Sequence, residues 1–230
     1  MGLTVSFAFP TIACMRAPPH FHALPQKRNA ISLSLRRVGL GLLLVMSTMA
    51  SAQETGTVEK GKQPETGLAF WEWHHAGISI KLVQRLPDQT RAFFLGRGFP
   101  RQAADQIARS CVFQSIFHNE GTTPLDYDLR EWRIRHDDHT KQMRLQDAWD
   151  RQWRADGISP SARIAFRWSL LPPQQHFEPG DYNWGMTIYG LRPGERFDLE
   201  LVMYTGGQRV TGRIPNIQCP MENPNPRGSP

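Results

Sequence analysis

The chain has 230 residues, with 27 basic and 21 acidic side chains and a formal charge of +6. Five of the basic residues and none of the acidic ones fall in residues 1–52, so the remainder is nearly neutral at 22 against 21. No basic stripe interleaved with aromatics is left to serve DNA or RNA, and nucleic acid is excluded as a partner on that ground.

Residues 1–52 read as a secretory leader that is removed. Arg36-Arg37 is the positive flank, Val38 to Met46 is an apolar run too short for a mature membrane span, and Ala50-Ser51-Ala52 is a small-x-small cleavage site. Met1 and Met15 are both candidate starts. The leader predicts a periplasmic or secreted protein, and no second apolar stretch predicts a span in the mature chain. Residues 53–67 are polar and rich in Gly, Glu, Lys and Thr, and read as a disordered linker. One β-sandwich domain is expected over 68–219, followed by a loose, proline-rich tail over 220–230.

Along that domain the first signal is an aromatic strand, Phe70 to His75, then the alternation of Ile78, Ile80 and Leu82. Two helical segments follow, Asp88 to Leu95 and Pro100 to Arg109, broken at Gly96-Arg97-Gly98, with Pro100 expected at the first helical position. Cys111 to Asn119 is apolar on both faces, as a central strand would be. A weaker strand is expected over Leu129 to Ile134. Lys141 to Arg154 has Leu145, Ala148, Trp149 and Trp153 at helical spacing. Period-2 alternation then predicts strands at Arg163–Leu170, around Trp184, Met186 and Ile188, and at Arg196–Tyr204, with a weaker one over Gln208–Ile214. Pro179-Gly180-Asp181 and Pro193-Gly194-Glu195 are turn sequences, and Gly206-Gly207 suits a hairpin. Trp149, Trp153 and Trp168 are assigned to packing between helix and sheet.

These elements predict a mainly β chain: an immunoglobulin-like β-sandwich with a short helical insertion after the first strand and one further helix. The pattern, a strand ending in Asn-x-Gly and a later Phe-x-Pro-Gly turn before two hairpin-like strands, resembles that of exported immunoglobulin-like domains. Cys14 leaves with the leader, and Cys111 and Cys219 remain as an even pair in an oxidising compartment, where a disulfide is expected.

Chemistry is sparser. There is no G-x-S-x-G elbow, phosphate-binding Gly loop, H-E-x-x-H or C-x-x-C-H, so the chain reads as non-catalytic. Six histidines follow the leader. His74 and His75 adjoin tryptophans, and adjacent residues on a strand point to opposite faces. With His118 and His176 they are candidate ligands for a metal, copper first, since imidazole suits copper and zinc. Met186 and Met203 are candidate soft ligands. His136-Asp137-Asp138-His139 is a second candidate, in which His136 and His139 share an ion if the loop makes a helical turn; Asp138 or Thr140 alternatively caps the following helix. Asp181-Tyr182-Asn183-Trp184-Gly185 is a dense aromatic turn, suited to a sugar or peptide or else a tight turn with a buried Trp. Two functions follow: an exported, non-catalytic metal-handling protein serving an exported or respiratory enzyme, or an immunoglobulin-like module that docks a partner protein without metal.

Overall fold

The computed structural model describes residues 56–222. The expected leader with its cleavage site, Cys14, and the end of the tail lie outside the described residues. Eleven strands and four helices follow in chain order. Strands β1 (Thr57–Lys62), β2 (Ala69–His75) and β3 (Ile78–Gln84) come first, then helices α1 (Pro87–Leu95) and α2 (Arg101–Ala108) and strand β4 (Val112–Asn119). Short strands β5 (Leu125–Asp128), β6 (Arg133–His136) and β7 (His139–Lys141) lead to α3 (Gln146–Ala155) and α4 (Pro160–Ser169). Strands β8 (Gln174–Phe177), β9 (Tyr182–Ile188), β10 (Arg196–Thr205) and β11 (Gln208–Gln218) complete the domain.

The chain is mainly β, and its strands form two antiparallel sheets. The first, sheet A, has the order β1-β2-β3-β4-β9. The second, sheet B, is built around β10, which pairs with β11 on one side and with β5 and β6 on the other; β8 and β7 lie outside β5 and β6. The sheets share one core. Trp71, Trp73, Ile80 and Phe117 of sheet A pack in the same cluster as Leu199, Leu201 and Ile214 of sheet B. Gly212 admits the Trp73 indole, because a Cβ there would lie 2.5 Å from the ring.

The four helices form a second layer on the far side of sheet A. Phe94, Phe99, Ile107, Trp149, Trp153 and Phe166 pack with Val112, Met186 and Ile188 from β4 and β9. Trp149 and Trp153 stack with ring centroids 5.1 Å apart. Strand β4 therefore buries apolar side chains on both faces at its start, Val112 under the helices and Phe113 in the shared core, while Gln114, Ile116 and His118 further along the helix-side face are only partly buried.

Several expectations need correction. The helical insertion follows the third strand, not the first, and α3 is joined by a second helix, α4, where a strand was expected over Arg163–Leu170. Ser159 caps α4, accepting a hydrogen bond from the Ala162 N–H at 3.3 Å, and Pro160 occupies the first turn. Ala162 and Phe166 form its buried face, whereas Ile164 and Trp168 are exposed. Trp168 therefore does no packing between helix and sheet, unlike Trp149 and Trp153. Pro100 stands at the N-cap rather than inside α2. Lys141 belongs to β7, and α3 begins five residues later than its sequence pattern suggested. The segment read as a linker contains β1, an exposed strand held by pairing with β2 from Thr57↔His74 to Lys62↔Ala69. The tail is anchored at its start: Glu222 accepts from Arg91 at 2.9 Å, and Arg91 also pairs with Asp88 and Asp105.

Among the described residues no helix is long and apolar enough to cross a membrane. Cys111, just before β4, and Cys219, just after β11, form a buried disulfide with Cα atoms 5.0 Å apart and a sequence separation of 108. It ties β4, the strand beside the β9 edge of sheet A, to the edge strand β11 of sheet B. Closing so long a loop restricts the unfolded chain, an effect of about 4–5 kcal/mol in the chain-entropy model. Replacing both cysteines by alanine should lower the unfolding free energy by about 2–5 kcal/mol, read as a lower urea midpoint. An unchanged midpoint would contradict a stabilising cross-link.

Candidate functional site

The helical layer covers only part of sheet A. Along β9, Trp184, Met186 and Ile188 share one face; Met186 and Ile188 are buried under the helices, while Trp184 is 64% exposed. The uncovered part carries two cross-strand rows. One runs Thr57, His74, Ser79, His118, Tyr182, and the other Glu59, Glu72, Lys81, Ile116, Trp184. Neighbouring strands are about 4.8 Å apart, so each row spans about 19 Å.

At the β9 end of this face is a groove of about 290 Å³ lined by Gln146, Arg167, Trp168, Leu170, Pro172 and Trp184, with Asn183. Its construction is local and specific. The chain leaving α4 crosses β9 in contact with Gly185, where a Cβ would lie 2.3 Å from the Leu171 nitrogen. Leu171 N–H donates to the Met186 carbonyl at 3.0 Å, and Leu170 bridges Met186 in parallel. Glycine at 185 thus lets the end of α4 lie against the strand, which brings Trp168 and Trp184 to one groove. Trp168 is 84% exposed and Tyr182 is 67% exposed. The other five tryptophans are at most 2% exposed, so these two indoles are not spent on folding.

Burying an indole of this size is worth several kcal/mol to most proteins. Leaving two in water, beside an exposed tyrosine, is the most distinctive feature of the surface. The sequence pointed to Asp181-Tyr182-Asn183-Trp184-Gly185 as an aromatic turn; from Tyr182 on, the segment is the start of β9, and its Trp is exposed. Trp168 was missed as a surface residue because Ile164, Phe166, Trp168 and Leu170 alternate as a strand would. The Ser159-Pro160 cap was the signal that α4 is a helix.

The histidines are dispersed. His74 lies on the outer face of sheet A, while His75 lies on the opposite face beside Trp73, with ring centroids 5.9 Å apart. His118 shares the face of His74 but is two strands away, and its Nδ1 is 3.1 Å from Glu120. His176 belongs to sheet B, between Asp126 and Glu178. His136 and His139 face each other across the β6–β7 hairpin, which replaces the expected helical turn; His136 Nδ1 is 2.8 Å from the Arg196 carbonyl. Asp138 lies in that hairpin turn and Thr140 in β7, so neither caps α3, whose N-cap is Leu145. Met186 and Met203 are buried in the two cores. The set His74, His75, His118 and His176 therefore does not converge.

One group does. Glu59, Glu72 and His74 each place a ligand atom within 4.8 Å of the others. Glu59 and Glu72 are direct cross-strand partners, a like-charge pairing that is unfavourable in itself. Lys81 donates to Glu72 Oε2 at 2.8 Å and Ser79 to Oε1 at 3.2 Å, and Oε1 is 3.7 Å from His74 Nε2. Sequence reasoning found His74 but not its acidic partners, because the strand carrying Glu59 was read as a linker.

Comparison with known proteins finds no matching family model, curated protein or solved structure.

The environment of His176 has a pH consequence. Hydrogen bonding to Asp126 at 2.8 Å and then to Glu178 at 3.4 Å raises the imidazole above its ordinary value. A raised folded value means the interaction is fully present below the unfolded histidine value of about 6.5 and is lost as pH rises through the folded one. An NMR titration of the His176 ring should therefore give a midpoint above that of an unstructured histidine, moving down in Asp126→Asn. A midpoint at or below the ordinary value would contradict the geometry.

Proposed function

We propose that this protein is an exported, non-catalytic binding module that takes its ligand on the aromatic groove between α4 and β9. The observation carrying the reading is the exposure of Trp168 and Trp184 in one groove, in a chain whose other five tryptophans are buried. Exposed aromatics clustered on a rigid element are the usual currency of recognition, since they supply large contact area with little side-chain entropy to lose. The leader predicted from the sequence and the Cys111–Cys219 bond support an oxidising, exported setting. We read the architecture as immunoglobulin-like in plan: two sheets, tied by a disulfide, presenting one face. The meander of β1 to β4 within sheet A departs from the Greek-key connections of that class.

A recognition surface is dispensable for folding. Trp168→Ala and Trp184→Ala should each change the unfolding free energy by no more than about 0.5 kcal/mol, whereas Trp153→Ala should cost about 3–5 kcal/mol. Calorimetric or urea unfolding checks this. Destabilisation by the two surface variants as large as that of Trp153→Ala would assign the indoles to the core and remove the reading.

A second reading, metal handling, is favoured by Glu59, Glu72 and His74. Two carboxylates and an imidazole suit Zn(II) or Cu(II) better than Cu(I), which prefers soft ligands, and a divalent ion would relieve the Glu59–Glu72 repulsion. Calorimetric titration with each ion should show binding that is lost in a Glu59→Gln, His74→Ala double variant. Equal affinity in that variant would remove this reading and leave the first untouched.

A further inference from the structure

Resting on the docking reading above, we propose that the groove takes carbohydrate: a pyranose oligosaccharide, with preference for one bearing carboxylates. Three observations argue for this class.

The first is the lining. Trp168, Trp184, Leu170 and Pro172 supply the apolar lining, and the polar groups are Gln146, Arg167 and Asn183, the last already bonded to Gln175 and to the Trp184 N–H. A pyranose ring presents apolar C–H faces and an equatorial girdle of hydroxyls. Indole faces take the former, and amide or guanidinium groups bond the latter. Gln146 Nε2 is turned to the Arg167 carbonyl at 3.4 Å, which leaves its side-chain oxygen to accept from a ligand hydroxyl.

The second is charge. Arg167 is exposed and makes no direct ion pair among the described residues, although it lies near enough to Asp150, which Arg163 and Arg154 already bond, to interact with that carboxylate through its charge. Other arginines nearby are engaged: Arg163 and Arg154 both bond Asp150. A guanidinium with no hydrogen-bonded carboxylate at the edge of an aromatic groove suits a ligand carboxylate, which it meets through a planar fork of donors.

The third observation argues against an extended peptide. A peptide adding to a sheet needs an open row of backbone groups on the edge strand. Here β9 is the edge of sheet A, but the Trp184 N–H is taken by Asn183 Oδ1 at 2.7 Å and the Met186 carbonyl by Leu171 N–H at 3.0 Å. The edge is closed where it borders the groove. The groove's volume, about 290 Å³, falls at the small-molecule end of binding sites, typically about 300–1,000 Å³.

The test uses the full chain, with tryptophan emission and calorimetry as readouts. The ligands are hexamers of glucose, of N-acetylglucosamine and of a uronic acid, and a proline-rich decapeptide. The expected result is a shifted emission with the sugars and a dissociation constant on the order of 10–500 µM, tightest for the uronate. Trp168→Ala or Trp184→Ala should weaken binding about tenfold or more. Arg167→Gln should weaken the uronate by about fivefold and leave the glucose hexamer unchanged. Unfolding temperatures of the variants should match the parent. Binding of the peptide through the same tryptophans, with no sugar bound at about 10 mM, would overturn this inference and leave the docking reading standing. Sugar binding that survives both tryptophan substitutions would overturn the site. No response to either class of ligand would overturn both.

Discussion

Strand β4 carries apolar side chains on both faces, so sheet A has to be covered twice, and how completely it is covered decides where this protein has a surface to offer. Phe113 and Phe117 point into the core shared with sheet B, while Val112 points into the helical layer. Sheet B covers one face of sheet A, and four short helices cover only part of the other. The remainder, from His74 across to Trp184, is solvent-facing. The exposure of Trp184 is thus a consequence of where the helical layer stops. That of Trp168 follows from its place on the outer side of α4, two residues beyond the buried Phe166.

The same geometry explains what could be read in the chain and what could not. Central strands, glycine turns and the disulfide left local marks. The β10–β11 hairpin was legible because Gly206 and Gly207 both adopt positive φ, at 55° and 76°, as its turn requires. The core face of β10 was legible from Phe197, Leu199, Leu201 and Met203. Strand β1 was not, because an exposed edge strand has no apolar face and owes its conformation to pairing with β2. Helix α4 was misread because Ile164, Phe166, Trp168 and Leu170 alternate in a stretch where only Ala162 and Phe166 are buried along the helix. For the site, the sequence named Trp184 and His74. It could not show that a helix would end beside β9, or that Glu59 would face Glu72, since both are products of pairing between distant segments.

Two features of the frame bear on function. The Cys111–Cys219 bond holds the start of β4 to the end of β11, fixing the sheet that carries the groove relative to the sheet behind it. Gly185 holds the segment after α4 against β9, fixing one tryptophan relative to the other. A groove positioned by regular elements and a cross-link loses little freedom on binding, and that preorganisation favours a weakly interacting ligand such as a sugar. The histidines, distributed over both sheets and the β6–β7 hairpin, have no comparable frame, apart from His74 with its two carboxylates.

The central claim is that two of the seven tryptophans are held in solvent to meet a ligand while the rest maintain the fold. The most direct measurement is the indole N–H spectrum of the isotopically labelled protein during titration with an oligosaccharide. The account predicts that the Trp168 and Trp184 resonances move together, saturably, and that those of Trp71, Trp73, Trp132, Trp149 and Trp153 stay in place. Movement confined to the buried indoles, or spread evenly over all of them, would contradict it.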